Sequence, residues 1–157
     1  MIRPFDRKIL AVTPPAAISD NASPATNVID TIGYDYCVIN VMFGAMDIAM
    51  AALKLQESDV KASATALTSG VDVTGAIFGT SNNDTGSAST LPSGTDDNTI
   101  VSIFVDLRGG RKRYLDLLLT TGDGAAGTYI CAWAELWRGK DAPRTAAEAG
   151  YGQRLCV

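Results

Sequence analysis

A chain of 157 residues that is 46% hydrophobic and 19% charged is long and apolar enough to bury one full-sized core, which excludes an intrinsically disordered protein. The net charge of −4 argues against a general nucleic-acid binder. The absence of histidine excludes Ser-His-Asp and Cys-His nucleophiles and every metal site that needs imidazole. We therefore expect no enzyme, and neither a cofactor nor a metal site.

The three cysteines are far apart in the chain and form no Cys-x-x-Cys motif. Cys37 and Cys131 fall inside apolar strands, so we expect buried free thiols rather than metal ligands. The first residues lack the continuous apolar stretch of a signal peptide, and no apolar run is long enough to span a membrane. These features indicate a protein kept in a reducing cytoplasm.

Residues 1–24 contain four of the six prolines, which predicts an extended N-terminal arm. Residues 8–13 can pair as a short edge strand. The arm either lies across a neighbouring subunit or forms a loose tail. Its candidate partner contacts are Arg3, Phe5 and Arg7.

Alternating apolar residues predict strands over 25–31, 34–43 and 49–57, with weaker candidates at 61–66 and 71–78. The second and third strands are predicted to form a hairpin. A helix through 46–56 is the alternative, because Ala, Met, Leu, Lys and Gln favour helices. The clean alternation of that segment favours the strand.

Residues 79–98 are rich in Gly, Ser, Thr and Asn, and Leu91 is their only large apolar residue. We expect a long exposed loop, a length that is usually functional or mobile. Asp84, Asp96 and Asp97 make a calcium site conceivable, but the acidic spacing of an EF-hand is missing. Solvated loop carboxylates are the commoner interpretation.

Residues 99–121 consist of two strand-like runs on either side of Gly109-Gly110, a pattern that predicts a β-hairpin. Alternation places Ile103 and Val105 on one face of the first run and Leu115 and Leu117 on one face of the second. A three-residue Gly109-Gly110-Arg111 loop would set Val105 opposite Leu115 and Ile103 opposite Leu117.

The tip of this predicted hairpin is basic, with Arg108, Arg111, Lys112 and Arg113 close together in the sequence. Such a cluster either grips a phosphate or carboxylate patch on a partner or simply keeps an exposed turn solvated. Both interpretations stay open, and Arg108, Arg111 and Arg113 are candidate partner contacts.

Gly122-x-Gly-x-x-Gly127 matches the glycine pattern of dinucleotide-binding loops. That chemistry needs a helix N-terminus after the glycines to hold the pyrophosphate. The residues that follow are strand-like, so we expect a tight turn instead.

Residues 128–137 predict a strand with two apolar faces, which belongs either inside the fold or at a subunit interface. Trp133 and Trp137 lie on one face; stacking on sugars or bases is a less favoured role for them than packing. The segment 139–157 is predicted to be a tail with a short helix, capped by Thr145 and Glu148 and ended by Gly150.

Four stretches resemble small structural proteins of tailed bacteriophages, the capsid decoration or cement class. They are Ile103-Phe-Val-Asp-Leu-Arg-Gly-Gly-Arg-Lys-Arg-Tyr-Leu, the Ala-Gly-Thr-Tyr around Gly127, Ala-Pro-Arg-Thr-Ala-Ala-Glu near the end, and Leu53-Lys-Leu-Gln-Glu-Ser-Asp59. The resemblance covers roughly residues 30–150. It includes no catalytic motif.

The predicted strands and terminal segments indicate, independently of this resemblance, an all-β antiparallel domain over 25–138 with an arm over 1–24 and a tail over 139–157. The resemblance agrees with this and implies a jelly-roll or related β-sandwich, often trimeric, that sits outside the mature capsid and braces it against internal DNA pressure. The expected partners are the major capsid protein and further copies of this chain in a homotrimer, with no direct contact to nucleic acid or membrane. The expected location is the capsid exterior of the virion, after assembly in the host cytoplasm.

Two other functions stay open. The first alternative is another part of the virion, such as the tail or the head-completion assembly. A carbohydrate-binding β-sandwich is the third interpretation, with the 79–98 loop or Trp133 and Trp137 as the binding surface.

Overall fold

The computed structural model describes residues 7–16, 18–140 and 147–153, and these residues form an all-β fold with antiparallel sheets and almost no helix. The strands are β1 (Arg7–Thr13), β2 (Ile29–Asp30), β3 (Tyr36–Met46), β4 (Ala52–Ser58), β5 (Lys61–Ser63), β6 (Ala66–Leu67), β7 (Val71–Ile77), β8 (Ile100–Asp106), β9 (Tyr114–Thr120) and β10 (Thr128–Trp137). A short 3₁₀ helix, Leu107–Gly109, follows β8.

Two four-stranded sheets enclose one hydrophobic core. Sheet I has the order β1-β10-β3-β8, sheet II has the order β2-β9-β4-β7, and β5 and β6 form a separate small hairpin. Every strand pair is antiparallel. The core draws on both sheets, with Ile39 and Phe43 from sheet I and Leu53 and Leu117 from sheet II almost fully buried.

The segment around β4 is a strand, as its alternation predicted. Leu53 and Leu55 point into the core, while Lys54 and Gln56 point outward and are partly exposed. Tertiary packing against the core therefore outweighs the helix propensity of this segment. The inward faces predicted for β8 and β9 are also confirmed, since Val105 and Leu115 are buried.

The predicted hairpin over residues 99–121 is wrong. β8 pairs with β3 in sheet I and β9 pairs with β4 in sheet II, so residues 107–113 carry the chain from one sheet to the other. The predicted hairpin of β3 with β4 is wrong for the same reason. Alternation identifies the face that points to the core, and two facing sheets satisfy it as well as a hairpin does.

Both ends of the described chain pack on sheet I. Residues 7–13 form the edge strand that the sequence allowed, with Val12 fully buried. The C-terminal helix is not confirmed. Thr145 lies outside the described residues, and residues 147–150 form a turn in which Ala149 is buried and its carbonyl oxygen accepts a hydrogen bond of 2.8 Å from Ile9 N–H.

The segment 79–98 is a loop, largely exposed, but it is internally bonded. Residues 81–89 close on themselves through Ser89 N–H, which donates to the Ser81 carbonyl oxygen at 2.9 Å. Asn83 Oδ1 accepts from the N–H groups of Thr85 at 3.1 Å and Ser87 at 3.0 Å. Leu91 packs against the core, which anchors the second half of the loop.

Candidate functional site

The outward side of sheet I is apolar and aromatic, and we call it the aromatic face. Cross-strand pairing and burial place ten side chains on it: Ile9, Tyr36, Val38, Met42, Ile100, Phe104, Tyr129, Cys131, Trp133 and Trp137. The most exposed are Phe104 at 66%, Ile100 at 53% and Tyr129 at 52%. An apolar surface that extends across four strands is typical of a protein interaction site.

The polar side chains within the aromatic face are satisfied by neighbours in the same chain. Glu135 accepts hydrogen bonds from Arg7 Nη1 at 2.6 Å and from Trp133 Nε1 at 3.3 Å. Ser102 Oγ donates to Asn40 Oδ1 at 2.7 Å. If a protein covered this face, few polar groups would lose contact with water without already having a hydrogen-bond partner. The desolvation cost of docking a protein there is therefore low.

One end of the aromatic face combines arginines with aromatic rings. The guanidinium of Arg108 lies 4.6 Å from the ring centroid of Tyr36, and that of Arg138 lies 5.7 Å from it. Phe104 stacks on Tyr36 with 5.6 Å between ring centroids, and Arg7 lies 5.4 Å from the Trp137 ring. Trp, Tyr and Arg are the residues enriched at the energetic centres of interfaces.

The outward side of sheet II is different, because it is polar. Asp72 accepts from Lys54 Nζ at 2.8 Å and from Gln56 Nε2 at 2.7 Å, and these bonds hold the pKa of Asp72 below its usual value. Asp116 accepts from Thr26 Oγ1 at 2.7 Å, although burial raises its pKa. This side is suited to water, so the two sheets differ in what they present to the surroundings.

The arginines proposed as partner contacts already form ion pairs within the chain. Arg108 binds Asp106 at 2.7 Å, Arg113 binds Asp30 at 2.7 Å, and Arg111 lies 3.6 Å from Glu57. Arg7 is paired with Glu135. Arg3 and Phe5 lie outside the described residues.

These ion pairs lower the pKa values of two of the carboxylates that accept from the arginines. The hydrogen bonds from Arg108 lower the pKa of Asp106 to about 2, and those from Arg113 lower the pKa of Asp30. Carboxylates of the same chain thus neutralise most of the positive charge of the predicted basic tip. Of its three arginines, only Arg108 also borders the aromatic face. A sequence shows the cluster but not that the distant carboxylates Asp30 and Glu57 fold against it.

The glycine motif at 122–127 forms a loop that binds a carboxylate of the same chain. Asp47 Oδ2 accepts from the N–H groups of Ala126 at 2.7 Å and Ala125 at 2.5 Å, which lowers the pKa of Asp47. Gly124 N–H donates to Asp20 at 3.0 Å. Strand β10 follows, so the helix that a dinucleotide-binding loop needs is absent here, as predicted, but residues 121–127 form a longer connection between the two sheets rather than a tight turn. The N–H groups of this loop that could bind an anion are occupied by carboxylates of the same chain.

A groove of about 580 Å³ lies beside β8, between this strand, the end of β7 and the loop residues 81–84. Phe78 and Ile103 contribute apolar walls, Phe104 stands at one side, and Asn82 and Asp84 add polar groups. The groove joins the aromatic face at Phe104.

Cys37 is a buried free thiol, as predicted, and burial raises its pKa to about 12. Cys131 is also a free thiol, but its predicted burial is wrong, because it is partly exposed on the aromatic face. Among residues 7–16, 18–140 and 147–153, no group of three or more Cys, Asp or Glu side chains is arranged to hold a metal ion. Within the same residues, no helix has the length and apolar composition that crossing a membrane requires.

No family model matches the chain, and no curated protein is significantly similar to it. The aromatic face is therefore the structural feature on which a functional proposal can be based.

The sequence contained part of the signal for this site. The two apolar faces of residues 128–137 indicated that one face of β10 would lie at an interface or inside the fold. The structure assigns Ile130, Ala132, Ala134 and Leu136 to the core and leaves Tyr129 and Trp137 exposed. The contributions of Met42, Ile100 and Phe104 were missed, because they depend on which strands flank β10.

Proposed function

We propose that this chain is a structural protein of a tailed-bacteriophage virion that decorates the capsid exterior and stabilises it by bridging major capsid subunits. The observation that carries the proposal is the aromatic face, which offers an extended protein-docking surface. The resemblance of residues 30–150 to decoration proteins supplies the identity of the partner. The mechanism is mechanical: each docked copy adds contacts between neighbouring capsid subunits, without catalysis.

A jelly-roll fold and a homotrimer are parts of the same proposal. The strand orders β1-β10-β3-β8 and β2-β9-β4-β7 support the jelly roll. Apart from the small β5-β6 hairpin, the eight strands divide into two sheets of four, and strands that follow each other in the chain mostly lie in opposite sheets, as in a jelly roll. The homotrimer rests on the resemblance alone. Docking is expected through the aromatic face, where Trp137 and Tyr36 lie among arginines.

The first test is the copy number of the chain in purified virions, measured by quantitative mass spectrometry against the major capsid protein. A ratio near one supports decoration. A handful of copies per particle would instead support a tail or head-completion role, and absence from the virion would refute both.

The second test is Met42→Lys, which places a charge in the aromatic face on β3, where Met42 is 41% exposed. Val71→Lys is the matched control, because Val71 is an exposed apolar residue of sheet II. We expect only Met42→Lys to weaken binding to particles that lack the chain, while both variants keep the thermal stability of the parent. Equal binding of the two variants would remove the aromatic face from the proposal.

Carbohydrate binding is the second candidate, and the exposed ring of Trp137 and the groove beside β8 favour it. A glycan array separates it from decoration. Specific glycan retention that is lost on Trp137→Ala, together with absence from virions, would establish the carbohydrate-binding module instead.

A further inference from the structure

The free edges of the two sheets are not equally protected. On β1, Ile9 N–H donates to Ala149 and the Val12 carbonyl oxygen accepts from Asn27 N–H, both at 2.8 Å. On β7, the ladder is irregular and contains Gly75 at φ +88°, while β2 is only two residues long. Coverage, bulges and short length are the usual ways in which edge strands avoid pairing with other chains.

β8 has none of these protections. It is seven residues long, pairs with β3 without a register shift and contains no proline, and its one charged residue is Asp106 at its C-terminal end. Natural edge strands with these properties recruit further strands.

The hydrogen-bond pattern shows which groups of β8 are unused. Leu107 N–H donates to Asp35 at 2.9 Å and Phe43 N–H donates to Thr99 at 3.1 Å, so odd-numbered residues of this strand bond to β3. Residues in an antiparallel strand alternate, and the N–H and C=O groups of the even-numbered residues therefore point away from β3. Within the described chain, these groups of Ile100, Ser102 and Phe104 have no hydrogen-bond partner.

We propose that β8 pairs with β8 of a second copy of this chain, antiparallel and about a twofold axis at Ser102. In this register Ser102 faces the partner's Ser102, and Ile100 faces the partner's Phe104. Three even-numbered residue pairs that exchange two bonds each give about six new backbone hydrogen bonds. The contact extends sheet I of one copy into sheet I of its partner.

The edge fits a second copy because it is self-complementary. The register places an apolar residue opposite an aromatic ring twice, and such cross-strand pairs stabilise sheets. Asp106 comes opposite the partner's Asn98, so no like charges meet. Ile100 and Phe104, now 53% and 66% exposed, become covered, and the groove of about 580 Å³ beside β8 leaves space for the approaching strand.

A twofold contact of this kind closes on itself, so it gives a dimer or links two larger assemblies rather than an open filament. The proposal does not rest on the capsid proposal, because it concerns the purified chain alone. A protein that is absent from virions could still form this dimer, and a decoration protein could lack it.

The test combines sedimentation with residue-resolved amide hydrogen exchange on the purified chain at low and high concentration. We expect a concentration-dependent dimer in which the amides of Ser102 and Phe104 exchange slowly at high concentration and fast at low concentration. Val101, Ile103 and Val105, which bond to β3, stay protected at both. A chain whose self-association leaves the even-numbered amides fast, or that stays monomeric up to about 1 mM, overturns the proposal.

Ser102→Pro removes the N–H at the centre of the proposed contact, and Ser102→Ala is its matched control because both lose the hydroxyl bond to Asn40. We expect dimerisation to weaken at least about 100-fold in the proline variant and to persist in the alanine variant. Phe104→Lys gives the same test if the proline variant fails to fold. Unchanged dimerisation in Phe104→Lys, or slow even-numbered amides only when capsid protein is added, refutes the second copy as occupant.

Discussion

Two buried threonines should respond with opposite signs to the same substitution. Thr13 at the end of β1 is 4% exposed, and its hydroxyl has no hydrogen-bond partner within the described residues. Thr121 after β9 is 1% exposed, and its hydroxyl accepts from Ala22 N–H and donates to the Ala22 carbonyl oxygen, both at 3.1 Å. Valine has nearly the same shape as threonine and lacks the hydroxyl, so the exchange isolates the hydrogen bonds.

Thr13→Val removes a buried hydroxyl that gives up its hydrogen bonds to water on folding and forms none in the folded chain described here. We expect the free energy of unfolding to rise by about 1–2 kcal/mol. For a chain of this length that corresponds to a melting temperature higher by about 2–8 °C. Thr121→Val removes the two hydrogen bonds to Ala22 and a longer one of 3.4 Å to Ser19 Oγ, and it should lower the free energy of unfolding by about 1–2 kcal/mol.

The assay is equilibrium urea unfolding of the parent and both variants, with calorimetry for the melting temperature. A stability loss in Thr13→Val equal to that in Thr121→Val would refute the reasoning, because it would mean that the Thr13 hydroxyl does form a stabilising hydrogen bond.

Two further perturbations test the loop at 122–127 and the basic turn. Gly122→Ala should lower the free energy of unfolding by about 1–3 kcal/mol, because the new Cβ would collide with the Ala49 carbonyl oxygen. Gly109→Ala should leave the free energy of unfolding unchanged, since its Cβ meets open space. Equal urea midpoints for the two variants would contradict this. Asp106 has a native pKa of about 2, lower than in the unfolded chain, so its ion pair with Arg108 contributes stability above the unfolded pKa and loses it as the pH falls towards 2. The difference in urea midpoint between the parent and Asp106→Asn should therefore shrink from pH 5 to pH 2, and a constant difference would show that the ion pair is not its origin.

Much of the fold could be predicted from the sequence, because a strand repeats every two residues and its apolar side must be buried. Residues 128–137 coincide with β10, and the inward side chains of β4, β8 and β9 follow their alternation. Strand pairing could not be predicted in this way. Alternation is identical for a hairpin and for two strands that face each other across a core, so both predicted hairpins failed at 44–51 and 107–113.

The candidate site was less predictable than the fold. The sequence drew attention to arginines at 108–113, but the carboxylate partners of Arg111 and Arg113, Glu57 and Asp30, come from distant parts of the chain. It drew attention to the glycine motif at 122–127, but the anion that this loop binds, through the N–H groups of Ala125 and Ala126, is Asp47, more than 75 residues earlier. Charge clusters and loop motifs indicate binding capacity, and only the folded chain shows whether that capacity is already used.

The apolar surface and the unpaired backbone groups that have no partner within the described chain meet at Phe104. Phe104 belongs to the aromatic face through its side chain, which stacks on Tyr36, and to the free edge of β8 through its backbone, which points away from β3. β8 thus presents apolar side chains that project from the sheet and unpaired backbone N–H and C=O groups that lie in the plane of the sheet. Docking uses the outward surfaces of the side chains, whereas pairing uses the backbone of β8 and covers Ile100 and Phe104 from the side of the partner strand. The two contacts therefore overlap only at these two side chains and can occur together. A chain with both could lie flat on a protein lattice and join its neighbour along it, and Met42→Lys and Ser102→Pro separate the two contacts.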